Sequence, residues 1–259
     1  MKLWNDTVPF YLEEADTPNQ MTPYLVETEK PLPCIVIFPG GAYKGRAYHE
    51  GEPIAQFFNA QGIHAVVVDY RVFPNHHPAP LADAQRAVRI IRANAKAWGV
   101  DTQKIVTCGF SAGGHLTASS ILFDDVYSNA YPADEIDRES CKPNGAILCY
   151  PVISLTEGYG HIRSGQFLLG DDYEEKKDEL SLAERVNEQT PPVFLWHTSN
   201  DPGVNVKNSL IFAEHLRDAG IPFELHVFPC GPHGLGLAEK YDDIKQWAAL
   251  AADWVLRNI

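Results

Sequence analysis

The chain has 259 residues, 45% of them hydrophobic, and a formal net charge of −13 from 34 acidic and 21 basic side chains. A field of that sign repels phosphate backbones and no basic stripe offsets it, so the composition argues against a nucleic-acid partner. No apolar run approaches the roughly 18 residues of a spanning helix, and the opening "MKLWNDTVPFYLEEAD" lacks the apolar core of a signal peptide, so no membrane partner and a cytoplasmic address are expected.

Taken in chain order, "TVPFYLEE" and "TPYLVETE" alternate weakly and fit edge strands joined by a turn containing Pro and Asn. "LPCIVIFP" is a short β-branched run that Gly40 and Gly41 stop, and "EPIAQFFNAQG" reads as a helix ended by Gly62. "IHAVVVDY" is a buried strand. "LADAQRAVRIIRANAKAWG" carries Leu81, Ala84, Val88, Ile91, Ala95 and Trp98 at helical spacing, with Gly99 as its C-cap. The pair "KIVTCG" and "AGGHLTASSILF" is strand then helix; "GAILCYPV" and "PPVFLWHT" are strands. "VNVKNSLIFAEHLRDAG" is a helix, "PFELHVFP" a strand, and a closing helix is expected from Leu237. Continuous apolar strands alternating with helices imply a mostly parallel sheet covered on both faces. No repeat or linker divides the chain, so a single domain over 1–259 is expected, with 154–192 as an insertion over the carboxyl end of the sheet. The acidic stretch 171–188 reads as a solvated face. The five cysteines are odd in number and form no Cys-x-x-Cys pair; buried free thiols are expected, with no zinc site and no disulfide framework.

Within this pattern, "KIVTCGFSAGGHL" places Ser111 between small residues where a strand becomes a helix. Gly109-Phe110-Ser111-Ala112-Gly113 matches the G-x-S-x-G nucleophile elbow, and a plain tight turn is the alternative reading. The elbow asks for an acid and then a histidine, each on a loop after a later strand. Asp201 follows the strand 193–197, and His233 follows the strand 223–228 inside "CGPHGLG". Asp171 and Asp172 are rivals for the acid but fall in the insertion. His197 and His226 lie in strands, His215 in a helix and His115 just past the elbow, where packing or hydrogen-bonding roles are expected. "IFPGGAYKG" offers Gly41 and Ala42 as oxyanion donors, with Ala112 from the elbow. No Gly-Lys-Ser/Thr continuation or G-x-G-x-x-G spacing supports a nucleotide site.

Pro39-Gly40-Gly41-Ala42-Tyr43, Asp69-Tyr70-Arg71, Gly109 to His115, Asp201 and His233 together resemble the α/β-hydrolase superfamily. Within it the chain is similar to the esterase/lipase group, and more closely to bacterial xylan acetylesterase and feruloyl-esterase-like proteins. It departs where that group often has His-Gly-Gly-Gly, keeping the two central glycines but not the histidine. The resemblance implies an α/β-hydrolase fold, with the mostly parallel sheet carrying antiparallel N-terminal strands. It also implies a serine esterase acting on small acyl esters, acetyl above all, of sugars or xylo-oligosaccharides. A serine peptidase and a non-catalytic binding protein on the same fold are the other readings. No cofactor or metal is expected: His76-His77 is an adjacent pair, which rarely converges on one ion. The loop "VFPNHH" is expected as a pocket wall. Tyr43 and Tyr150 after strand ends, and Phe167 from the insertion, are candidate substrate contacts, with core packing as the even alternative. Homo-oligomerisation is left open.

Overall fold

In the computed structural model, which describes residues 1–5, 7–13, 15, 20–131 and 134–259, the apolar runs become seven strands of one sheet. They are β1 (Gln20–Tyr24), β2 (Leu32–Phe38), β3 (His64–Asp69), β4 (Val100–Phe110), β5 (Gly145–Cys149), β6 (Val193–Thr198) and β7 (Phe223–Phe228), in the order β1-β3-β2-β4-β5-β6-β7. β1 runs antiparallel to β3, and every other neighbouring pair is parallel. The helices are α1 (Glu52–Ala60), α2 (Ala79–Ala93), α3 (Ala95–Trp98), α4 (Ala112–Leu122), α5 (Ile162–Leu169), α6 (Tyr173–Lys176), α7 (Lys207–Asp218) and α8 (Trp247–Asn258).

The central strands are mostly apolar on both sides, as in β2 and β5, because both faces are covered. In β2, Cys34, Val36 and Phe38 join the layer beneath α2 and α4, where Leu81, Val88 and Leu116 pack. Ile35 and Ile37 point the other way, into the layer beneath α1 and α8 with Phe58, Trp196, Trp247 and Trp254. Burying each such aliphatic side chain contributes about 1.5–3 kcal/mol. Among the described residues no helix is long and apolar enough to cross a membrane.

Five expectations are corrected. "TVPFYLEE" forms no strand over residues 7–13; instead the Pro9 carbonyl accepts from the Arg71 guanidinium at 2.6 Å, so a buried side chain replaces a ladder partner. "TPYLVETE" contributes to β1 only through Thr22–Tyr24, after which the Val26 N–H bonds His64 Nδ1 at 3.1 Å. The turn expected between them lies partly outside the described residues. The long helix after Leu81 is interrupted at Asn94, whose side chain caps the Ile90 carbonyl at 2.8 Å, while Gly99 closes the second piece in the left-handed region at φ 69°. The closing helix begins at Trp247, not Leu237. Of the free thiols, Cys34, Cys108, Cys141 and Cys149 are buried, whereas Cys230 is exposed.

Arg71 and Asp83 form a buried pair at 2.8 Å, and Asp83 also accepts from the Arg71 N–H and the Trp4 indole. This satisfies the carboxylate fully and ties the exit of β3 to α2 and the N-terminal segment. A second tie runs through His115 on α4. Its Nε2 faces the Leu180 carbonyl at 2.8 Å, which can only accept, so the proton sits there and Nδ1 accepts from the Tyr43 hydroxyl at 2.9 Å. The ring thus fastens the segment between β5 and β6 and the loop after β2 to the helix that follows Ser111.

Burial pushes the His115 imidazole down to about 4, from an ordinary value of 6.5. The unfolded chain therefore takes up this proton first, and the stability held by the neutral ring is present above about pH 6.5 and lost as pH falls toward 4. Urea unfolding at pH 7 and pH 4 should show a loss attributable to this residue of about 3 kcal/mol. His115→Gln, which carries no proton, should show a correspondingly shallower dependence; an unchanged slope would remove His115 from the account.

Candidate active site

β4 ends at Phe110 and α4 starts at Ala112, leaving Ser111 as the one-residue corner between them. Its backbone sits at φ 54°, ψ −118°, a region that non-glycine residues rarely occupy. The corner is held by close packing. A Cβ on Gly109 would lie 2.0 Å from the Gly113 carbonyl oxygen, and one on Gly113 would lie 2.0 Å from that of Phe38. Neither distance is tolerable, so both positions require glycine. The Ser111 N–H donates to the Cys149 carbonyl at 3.0 Å, and its own carbonyl accepts from the Val152 N–H at 3.0 Å. The strained residue is thereby bonded into the neighbouring strand end.

The two loop residues expected to meet the serine do so. His233 Nε2 is 2.8 Å from Ser111 Oγ, and His233 Nδ1 is 2.8 Å from Asp201 Oδ2. A carboxylate only accepts, so Nδ1 carries the proton and Nε2 is left to accept from the serine hydroxyl. Asp201 Oδ1 accepts from the N–H groups of Gly203 and Val204 at 2.8 and 2.9 Å, which fixes the carboxylate plane. Burial raises the Asp201 pKa, but hydrogen bonds from His197, His233 and the Val204 N–H outweigh it and hold the carboxyl well below the usual carboxylate range. His197 lies 3.5 Å from Asp201 Oδ2, and its closer partners are the Val204 carbonyl and the Ser209 hydroxyl. Its placement is structural, as is that of His226 beside Glu224.

A cavity of about 420 Å³ opens over Ser111 and His233 and includes Gly41 and Ala42 in its wall. The carbonyls of Gly40 and Gly41 close the turn by accepting from Ala47, Lys44 and Gly45, while the N–H groups of Gly41 and Ala42 have no protein acceptor among the described residues. Ala112 opens α4, so its N–H belongs to the unpaired positive end of that helix. These are donors of the kind a developing oxyanion needs.

Three expected substrate contacts fare differently. Tyr43 is buried, with its ring edge-on to Tyr70 and its hydroxyl on His115. Tyr150 is also buried: its ring backs the His233 ring at 5.1 Å, and its hydroxyl donates to Glu50 Oε1 at 2.7 Å. Both support the site from behind and do not face the cavity. Phe167 is half-buried at its flank, with Lys44 and Arg163 each 5.7 Å over its ring. The stretch "VFPNHH" does not line this cavity either; Phe73 packs on Phe167 at 5.4 Å, and His76 bonds the Phe167 carbonyl. The cavity wall instead contains Lys44, His49, Glu50, His161 and Arg163, none of which the sequence singled out.

Glu50 is the most consequential of these. Its Oε2 accepts from the Gly40 N–H at 2.7 Å, and Tyr150, bonded to its Oε1, accepts from the Gly236 N–H at 2.9 Å. Next to it, His49 Nε2 donates to the Gly234 carbonyl at 2.9 Å. One short turn therefore joins the Gly40–Ala42 loop to the loop that carries His233. Burial pushes the Glu50 carboxyl above its ordinary value, and the Tyr150 and Gly40 bonds pull it back only in part. An acid just before α1 reads in sequence as a helix-dipole partner, so nothing local distinguishes it.

A mostly parallel sheet with helices on both faces, a strained serine between strand and helix, and an acid and a histidine on later strand ends define an α/β-hydrolase. The chain belongs to the BD-FAE family of these esterases, whose model matches residues 23–216. It is 41% identical over 221 residues, or 83% of its length, to endo-1,4-beta-xylanase B of Butyrivibrio fibrisolvens. It is 34% identical over 218 residues, or 81% of its length, to an acetylxylan esterase of Xylanibacter ruminicola. It spans only 34% and 43% of those two proteins. Among solved structures, the acetyl ester-xyloside bifunctional hydrolase of Caldicellulosiruptor lactoaceticus superposes with a TM-score of 0.92 at 44% identity, covering 98% of this chain and 94% of that one.

Glu50→Gln should separate the buried tie from bulk packing. Glutamine supplies one acceptor where Gly40 and Tyr150 need two, so the variant should lose about 1–3 kcal/mol of stability. Its kcat on an aryl acetate should fall by more than KM changes, because the Gly40–Ala42 loop and the His233 loop lose their common anchor. Wild-type kcat in a folded Glu50→Gln would show that the anchor is dispensable.

Proposed function

We propose that the chain is a serine carboxylic-ester hydrolase that removes small acyl groups, acetyl above all, from sugars or xylo-oligosaccharides. The observation that carries this reading is the continuous hydrogen-bonded line from Ser111 through His233 to Asp201 beside an open wall of backbone donors. In the reaction, His233 Nε2 takes the hydroxyl proton as Ser111 Oγ attacks the ester carbonyl. Asp201 keeps the Nδ1 proton in place and stabilises the imidazolium that forms. The N–H groups of Gly41, Ala42 and Ala112 receive the negative charge on the carbonyl oxygen, a donor set in which one bond is typically worth about 10²–10³ in rate. The alcohol leaves with the proton from His233, and water repeats the attack on the acyl-serine.

Two features favour ester over glycoside chemistry at this site. Glycoside cleavage commonly uses a pair of carboxyl groups across the bond. Here Glu50 is the single carboxylate in the described cavity wall, and both its oxygens already accept from the protein. The names of the relatives, an acetylxylan esterase and an acetyl ester-xyloside hydrolase, support acetyl sugar esters as the substrate class. Tyr43 and Tyr150 are buried behind the cavity and do not line it, so the space directly behind Ser111 is filled by side chains.

A series of p-nitrophenyl esters, run beside an aminoacyl anilide, tests the reading. Acetyl should give the highest kcat/KM, with a loss on the order of tenfold for each added methylene that the slot rejects. The anilide should be inert. Efficiency that holds level or rises from acetyl to octanoyl, or turnover of the anilide, would point to a lipase-like or peptidase site instead.

A further inference from the structure

The candidate site does not end at His233. The turn Tyr48–Glu50 stands between the cavity over Ser111 and a second cavity of about 440 Å³. Ala47 and His49 line both. The second space is bounded by Tyr24, Arg46, Tyr48 and Asp69, at the edge where β1 meets β3. A third cavity leaves His49 in another direction, toward Leu235, Leu237 and Tyr241.

Tyr48 is 90% exposed. Its ring and its hydroxyl have no partner among the described residues, although most large aromatic side chains of the chain are packed. Beside it, Arg46 and Asp69 are held by each other at 3.5 Å, and Arg46 Nη1 is fixed on the Tyr70 carbonyl at 2.7 Å. This combination is an open aromatic face next to a fixed donor and a fixed acceptor. A pyranose ring has the matching surface, with apolar C–H faces and a rim of hydroxyls. A hydrocarbon chain in the same place would desolvate Arg46 and Asp69 without replacing their hydrogen bonds. An aromatic ring with nothing packed on it can supply contact area to a flat partner without first breaking a native contact.

We infer that the Tyr48–Arg46–Asp69 face is a distal sugar subsite, which holds the alcohol part of the ester when that alcohol is an oligosaccharide extending past the acylated residue. The inference rests on the sugar-ester reading above. It adds that binding energy is drawn from a ring remote from the reacting carbonyl, reached across His49.

The test compares two substrates on the full chain: p-nitrophenyl acetate, which has no second sugar, and an acetylated xylotetraose. Tyr48→Ala should lose roughly tenfold in kcat/KM on the oligosaccharide, mostly through KM, and nothing on the aryl ester. Tyr48→Phe keeps the ring face and should keep the activity. Tyr241→Ala, in the third cavity, should leave activity on the oligosaccharide unaffected. If wild-type protein deacetylates xylotetraose and Tyr48→Ala does so equally well, the subsite is wrong while the sugar-ester reading stands. Equal losses on both substrates, or a loss confined to Tyr241→Ala, would also overturn it. If wild-type protein cleaves the aryl acetate but no acetylated xylo-oligosaccharide, the sugar-ester reading falls, and the subsite with it.

Discussion

Everything at the candidate site depends on one backbone residue kept where it would not choose to be. Ser111 at φ 54° stores strain of order 1–3 kcal/mol. What holds it there is contact too close for any side chain on Gly109 or Gly113, together with two hydrogen bonds into the end of β5 and the segment after it. The sheet must already be assembled for those contacts to exist. The serine's exposed corner is therefore a product of the whole parallel sheet, and relaxing it would turn Oγ away from His233.

Around that corner the protein uses buried side chains to connect loops that share no secondary structure. Glu50 and Tyr150 join the turn after β2 to the loop after β7. His115 joins the same turn, through Tyr43, to the segment between β5 and β6. Trp247 adds a bond from α8 to the Gly236 carbonyl at 3.0 Å. Each tie satisfies a polar group that would otherwise be buried alone, so its loss costs more than one average hydrogen bond. Loops carry the functional groups, and these ties give them the precision that loops lack by themselves.

The parts legible in sequence were those set by short-range pattern. Strand and helix alternation follows from apolar periodicity, and the elbow is local by construction. Asp201 and His233 were legible because chain order and strand ends constrain them together. Tyr43 and Tyr150 were misread because a residue just past a strand end can point up to the cavity or back into the core, and sequence spacing is the same in both cases. The N-terminal segment was misread because a guanidinium 62 residues away supplies the hydrogen bond that a strand partner would have given. Glu50, His49, His161 and Arg163 enter the site through tertiary paths with no periodicity of their own, so no local signal marks them.

The central claim is that Ser111 is acylated during turnover. Rapid quenching in the course of acetyl-ester hydrolysis, followed by mass spectrometry of the digested protein, reads this directly. The expected result is one acetyl group, on the peptide that contains Ser111, absent from a folded and inactive Ser111→Ala. Acetyl carried on a different residue, or turnover that survives in that variant, would contradict it.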